Sequence, residues 1–437
     1  MAWQQSPSPP AAKSSPPPAP TTVISLDEDL LREIFLRLPS LPSLVRAALS
    51  CRTFLSAVRS SPAFRRSFRE AHLPPLLGLF FDPEGPSIPA FAPLRRRSDP
   101  DLAAVVRGAD FFLTRLPADD DAFPGWAIEA CCHGNVLLQN CSLEQLAVYN
   151  PLTRALDLIP QPPDKFFDDA RGHAKYLGCY ILSSEEGSEP LRLVYTCHDN
   201  SRARAAVFSS ESREWQIFPW SEAVTPLPED EHWLKVGTLV NGFVYWIHAN
   251  EAYILVLNTA TLHFSQMDLP PTLVARDLVF RVGESKDGKP CIVCPIDFEL
   301  FVWVRGTEDD GIETWIFDER FPLETIVEVT KSTLVEHGDL KVVATTGGFV
   351  YFSTMETLLD GHNPSWFMSL CMETGELSTL FQRRFDGHPH PYIMAWPPCL
   401  IDNQTKLENR EEPKWGVELL GEAGNELIRA TKDGGAT

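Results

Sequence analysis

Residues 25–39 read Ser25-Leu26-Asp27-Glu28-Asp29-Leu30-Leu31-Arg32-Glu33-Ile34-Phe35-Leu36-Arg37-Leu38-Pro39. Leu26, Leu30, Ile34 and Leu38 recur every four residues, and Leu31 and Phe35 fill the adjoining row. This spacing predicts one broad apolar stripe on an α-helix. Ser25 and Glu28 have capping-box spacing, while Asp27, Glu28 and Asp29 place negative charge in the first turn. Arg37 falls in the last turn and Pro39 closes the helix. A large apolar side chain gains about 1.5–3 kcal/mol on full burial, so the stripe must be covered, by its own chain or by a partner.

Beyond Pro39 the helical pattern restarts. Pro42 suits a first turn, and Leu44, Val45, Ala48 and Leu49 mark one face. Cys51-Arg52-Thr53-Phe54 leads into a third piece with Leu55 and Val58. Ser61-Pro62 opens a short basic helix with Phe64 and Phe68 on one side. Three or four short helices over about fifty residues make a bundle too small to be stable alone, which calls for a partner or an adjoining domain.

The order of these features, an acidic Leu-rich helix to Leu38-Pro39, then Leu44-Val45-Arg46, Ser50-Cys51-Arg52 and Ser61-Pro62-Ala63-Phe64, resembles the F-box motif. That family usually carries proline where Asp27 stands and tryptophan where Phe54 stands. The resemblance implies docking onto the adaptor Skp1 within a cullin–RING ubiquitin ligase. It assigns Leu26, Leu30, Ile34, Leu38, Pro39, Leu44, Val45 and Leu49 to the adaptor interface or its immediate support.

The 437 residues suggest two or three domains, and an apolar content of 44% is enough for ordinary globular cores. No run of eighteen apolar residues predicts a transmembrane helix, and no signal peptide is expected. Ten scattered cysteines lack disulfide-framework spacing and read as reduced thiols, hence cytoplasm or nucleus. The net charge is −21, yet residues 1–72 carry nine Lys/Arg against five Asp/Glu, so the remainder carries −25. Such an acidic body repels phosphate backbones and bilayer surfaces, so neither nucleic acid nor membrane is an expected partner. Acidic runs such as Asp119-Asp120-Asp121 and Glu308-Asp309-Asp310 would steer basic segments only if they gathered on one face.

Residues 1–21 form a Pro/Ser-rich segment expected to be disordered, with Pro16-Pro17-Pro18 read as spacer. The helical domain is assigned to 22–72, a propeller-like domain to 73–415, and a flexible tail to 416–437. Arg95-Arg96-Arg97 reads as a solvated basic loop.

The propeller assignment comes from a repeated phrase: glycine turn, apolar strand, loop, apolar strand, polar turn with threonine. It runs from Gly134 to Thr153, from Gly242 to Thr261 and from Gly348 to Thr374. The first two copies lie 108 residues apart and the next glycine follows 106 later. Intervening strands at Ala206-Val207-Phe208 and Trp315-Ile316-Phe317 halve the period to about 50–55 residues, the length of a four-stranded propeller blade. The predicted fold class is therefore multidomain, a small α bundle followed by an all-β propeller of about six or seven blades, with no helical pattern breaking in. The second domain is similar to the C-terminal propellers of kelch-type and F-box-associated plant proteins, although only Gly347-Gly348 supplies a kelch-like glycine pair.

Catalytic and metal signals are weak. Cys291 and Cys294 have zinc-knuckle spacing without a second pair, and strand alternation puts their sulfurs on opposite faces. Cys131-Cys132-His133 offers a nucleophile and a base, but adjacent strand residues point apart. His388-Pro389-His390-Pro391 reads as a solvated loop. No catalytic, metal or cofactor residue is assigned. The function implied by the resemblance is a non-catalytic substrate receptor of an SCF (Skp1–cullin–F-box) ubiquitin ligase, presenting an unidentified protein target on the propeller. The alternative is a propeller-fold enzyme or ligand-binding lectin-like protein whose helices serve assembly only.

Overall fold

The computed structural model describes residues 26–83, 89–94, 99–117, 125–182, 190–222, 237–248, 253–274, 278–307, 311, 313–330, 340–354, 365–383 and 387–401. Ser25, both terminal tails, Arg95–Arg97, Asp119–Asp121 and Glu308–Asp310 lie outside these residues.

Four short helices come first: α1 (Glu28–Leu36), α2 (Leu41–Ala48), α3 (Arg52–Arg59) and α4 (Pro62–Ala71). The first begins later than its stripe suggests. Asp27 is the N-cap, and its carboxylate accepts the Leu30 amide at 2.8 Å. A capping carboxylate satisfies a free first-turn N–H, which is why the helix starts at Glu28 and Leu26 stays outside it. The C-cap is Arg37, so Pro39 lies beyond the helix end. Pro42 and Pro62 sit in the first turns of α2 and α4, and Ser61 caps α4 through Phe64 N at 3.1 Å.

Six antiparallel sheets follow. The first blade is β3 (Trp126–Cys132), β4 (Asn135–Asn140), β5 (Gln145–Asn150) and β6 (Ala155–Pro160). The second is β7 (Lys175–Ile181), β8 (Arg192–His198), β9 (Ala203–Ser209) and β10 (Glu214–Ile217). The third is β11 (Thr238–Val240), β12 (Phe243–Ile247), β13 (Ile254–Asn258) and β14 (His263–Met267). The fourth is β15 (Arg281–Glu284), β16 (Pro290–Ile296), β17 (Glu299–Thr307) and β18 (Glu313–Pro322). The fifth is β19 (Leu340–Thr346), β20 (Phe349–Thr354), β21 (Ser365–Cys371) and β22 (Leu377–Arg383). The sixth closes the ring. Its inner strand β23 (Gly387–Ile393) pairs with β1 (Leu76–Pro83), which pairs with β2 (Ala90–Pro93). The fold is a six-bladed propeller sealed by joining β1 and β2, which follow the helices, to β23, the last strand.

The repeated phrase falls on the first, third and fifth blades. Its opening turns have two consecutive residues with positive φ: His133 and Gly134, Asn241 and Gly242, Gly347 and Gly348. That is the geometry of a two-residue hairpin whose twist matches the strands. Its first two closing turns are also alike. Asn150 accepts from the Leu152 and Thr153 amides, and Asn258 from those of Ala260 and Thr261, all at 2.9–3.1 Å. The apolar core consists of layers between blades: first on second, second on third, and so on to fifth on sixth.

The remaining layer, between sixth and first blades, is continuous with the helical bundle. Leu31, Phe35, Leu44 and Phe68 share one buried cluster with Phe80, Trp126, Tyr149, Tyr392 and Trp396. Two helices that the sequence pattern does not announce lie in the second domain, α5 (Pro100–Gly108) and the short α6 (Ile326–Thr330). Asp99 caps α5 through the Asp101 and Leu102 amides, both at 3.0 Å, and Pro100 opens it. α5 packs against α2, with Asp101 accepting from Arg46 at 2.7 Å and Ser43 at 2.9 Å.

Candidate functional site

α1 divides its apolar residues between two faces. Leu31 and Phe35 are buried in the bundle, whereas Leu30 and Ile34, one turn apart, are 47% and 43% exposed. Leu26, Leu38, Val45 and Leu49 are half-buried, Pro39 is exposed and Leu44 is fully buried. The assigned residues therefore separate into an open pair, a half-buried rim and Leu44, which supports from below. Phe54, standing where tryptophan is usual, packs edge to face on Phe35 with ring centroids 5.3 Å apart.

Sequence spacing missed the group that fixes this helix on its neighbours. The Arg32 guanidinium donates through Nε to the Ala57 carbonyl at 2.9 Å and through Nη2 to Ser60 Oγ at 2.9 Å. The same side chain pairs with Glu28 and Asp29, four and three residues earlier, at 2.5 and 2.8 Å. The acidic spacing is visible in the sequence, but the reach to α3 is not. An exposed pair is worth about 0–1 kcal/mol, so the bond to a carbonyl of another helix is the more consequential contact.

The bundle is held rigidly on one end of the propeller. Arg59 Nε donates to the Cys399 carbonyl at 2.6 Å, and the Arg69 guanidinium lies 5.2 Å from the Trp396 ring centroid. Inner strands β3, β7, β11, β15, β19 and β23 surround a central channel of about 880 Å³. Tyr392 donates to the Gly134 carbonyl at 2.6 Å, which ties the C-terminal end of β23 to the first inner hairpin turn. α4 adjoins this end, leaving the opposite end, where inner strands begin, facing away from the helices.

The weak chemical candidates resolve as follows. Cys291 and Cys294 are buried on opposite faces of β16, in the layers towards the fifth and third blades. Cys131 packs towards the helical bundle and Cys132 towards the second blade, while His133 occupies the turn. Burial raises the thiols of Cys131, Cys291 and Cys399, that of Cys291 to about 12 and that of Cys399 to about 11, so none is a ready thiolate. His388-Pro389-His390-Pro391 is not a loop. It is β23, the innermost strand of the sixth blade. An inner strand pairs on one side only, so prolines at alternate positions turn their missing N–H towards the channel and leave the ladder to β1 intact.

A family model for the F-box domain matches residues 24–66, and a model described as "F-box protein AT5G49610-like, beta-propeller" matches residues 127–400. No curated protein matches the chain. Solved structures similar to it include an oligogalacturonate lyase in complex with manganese, at 10% identity over 65% of this chain and 79% of that one, with a TM-score of 0.36. A protein of unknown function from Bacteroides caccae aligns at 9% identity over 73% of this chain and 99% of that one, TM-score 0.40. Likenesses this distant carry no argument about function.

Proposed function

Because this chain belongs to the F-box proteins with an AT5G49610-like beta-propeller, we propose that it is a substrate-receptor subunit of an SCF-type ubiquitin ligase. F-box domains bind Skp1-like adaptors. The observation that carries the reading here is the exposure of Leu30 and Ile34 on a helix whose other face is fully packed. A partner that covers them and the half-buried rim of Leu26, Leu38, Val45 and Leu49 completes the face that the bundle leaves open. Leu44 supports that face from the core, and Pro39 lies at its edge. The receptor's contribution is proximity: the rigid mount of helices on propeller fixes the distance between adaptor and target, and the recruited conjugating enzyme supplies the chemistry. The target, a protein, docks on the propeller.

The test is capture of the full chain on a purified Skp1-like adaptor. Leu30→Asp with Ile34→Asp places two charges where the partner must bury apolar surface, and should abolish capture. Both side chains are open in the free protein, so thermal stability should hold. Undiminished capture by the folded double variant overturns the reading.

A further inference from the structure

The channel end that faces away from the helices carries a cationic cluster that no carboxylate among the described residues neutralises. Arg281 is the first residue of β15, Lys341 the second of β19 and His388 the second of β23. These are inner strands of three consecutive blades. Arg281 Nη2 lies 2.5 Å from His388 Nε2. A guanidinium only donates, so Nε2 accepts and His388 is neutral, with its proton on Nδ1. The His390 ring follows 5.7 Å from that of His388, and its Nε2 is buried without a hydrogen-bond partner among the described residues.

Among the described residues no carboxylate pairs with Arg281 or Lys341. Glu129, across the channel on β3, accepts from Tyr176, and Glu284 on β15 accepts from Thr346. Desolvation lowers the affinity of Arg281 for its proton; burial and the nearby Arg281 charge do the same to Lys341. Holding cations out of water without counter-charge is costly, and the half-buried Arg281 and Lys341, beside two neutral imidazoles, have no counter-anion among the described residues. A Cβ on Gly283 of β15 would stand 2.4 Å from Thr345 Cβ of β19, so the backbones of these two inner strands approach closely beside the cluster.

We propose that the channel end lined by Arg281, His388 and His390, with the Lys341 charge beside it, binds a phosphate-type oxyanion. The Arg281 fork donates to the oxyanion, Lys341 adds a point charge, and the unpartnered Nε2 of His390 is the imidazole nitrogen available to it as an N–H donor. The channel behind has room for an organic body carrying that group. This site is independent of adaptor docking.

The probes are inorganic phosphate and phenyl phosphate, with sodium chloride at matched ionic strength as reference. Binding is read on the full chain by calorimetry and by the ring resonances of His388 and His390, assigned with His388→Asn and His390→Asn. Phosphate should shift both resonances and chloride neither. Arg281→Gln should weaken phosphate binding at least ten-fold, Lys341→Gln about three-fold, and Arg192→Gln, an exposed residue of the second blade outside the channel lining, not at all. Tighter binding of phenyl phosphate than of inorganic phosphate identifies the ligand as an anion carried on a larger body, and equal binding identifies the free anion. If Arg281→Gln fails to fold, Arg281→Lys keeps the charge and loses the fork, and should still weaken binding. Equal responses to phosphate and chloride, or phosphate binding unchanged in the folded Arg281 variants, overturns the proposal.

Discussion

Phe68 of α4 meets Trp396 edge to face, with ring centroids 5.8 Å apart, across 328 positions of sequence. This contact joins the helical bundle to the propeller within a single apolar cluster. The bundle is therefore not a module on a tether but the outermost part of a core layer. Trp396→Ala should destabilise the whole chain by about 3–5 kcal/mol, the usual cost of emptying a buried indole site. In urea, the helical dichroism and the tryptophan fluorescence should fall together. A helical transition well separated from the fluorescence transition would contradict a shared core. Deleting residues 22–70 would strip cover from Trp396 and Leu400, which makes point variants of α1 the better tool for separating adaptor from target binding.

Asp27 carries a second expectation. Its carboxylate accepts the Leu30 amide at the start of the helix that presents Leu30 and Ile34. Asp27→Ala should cost about 0.5–2 kcal/mol, and Asp27→Asn a few tenths at most, because the amide oxygen still caps. Equal losses for the two variants in urea denaturation would mean that the charge, and not the cap, is what matters.

The blades are tied to each other at their outer strands. Trp215 on β10 donates its indole N–H to the Pro160 carbonyl at 2.8 Å, and Trp315 on β18 donates to the Asp268 carbonyl at 3.0 Å. The two ties belong to different blade pairs. Trp215→Phe and Trp315→Phe should each cost about 1–2 kcal/mol, from one hydrogen bond plus some lost contact. The double variant should equal the sum within about 0.5 kcal/mol, because sites with no shared partner act independently. A larger deviation in denaturation midpoints would show that strain passes around the ring.

These ties also mark what the sequence could reveal. Gly134 and Gly242, with their downstream Asn-turns, repeat because hairpin chemistry is local: φ signs and Asn caps are decided within a few residues. The helical bundle was legible for the same reason, since apolar spacing and caps lie within single turns. Ring closure was not. β23 contains Pro389 and Pro391, which argue against a strand until it is known to be an inner edge. α5 has a plain Asp99-Pro100 start, but its short length let the surrounding strand runs hide it. The Arg281–His388 contact joins residues 107 positions apart on different blades, and only the closed ring brings them together. The separation of α1 into buried Leu31 and open Leu30 likewise depends on where α3 and α4 pack, which the stripe alone does not specify.

The last expectation concerns pH. Glu129 is pushed up from 4.5 to about 7 by burial, with nearby Asp82 adding to the rise and the hydrogen bond from Tyr176 opposing it. In the unfolded chain its carboxyl ionises near the ordinary value. Between about pH 4.5 and 7 the folded state therefore holds a proton that the unfolded state has lost, and stability falls as pH rises through this window. His390 works in the opposite sense. Burial, helped by the neighbouring His388 and by Arg281, lowers it from 6.5 to about 3. As pH drops below 6.5 the unfolded chain binds a proton that the folded state refuses, so this group removes stability on the acid side. Because the two slopes oppose each other, the wild-type profile hides both, and variants separate them. Glu129→Gln should flatten the decline between about pH 4.5 and 7, and His390→Asn should flatten the loss below pH 6.5. Urea midpoints across pH 4–8 give both tests, on the order of one or two kcal/mol each after allowing for channel water. A Glu129→Gln profile parallel to wild type from pH 4.5 to 7 would show that this carboxyl is already ionised in the fold, with the Tyr176 hydrogen bond holding its charge.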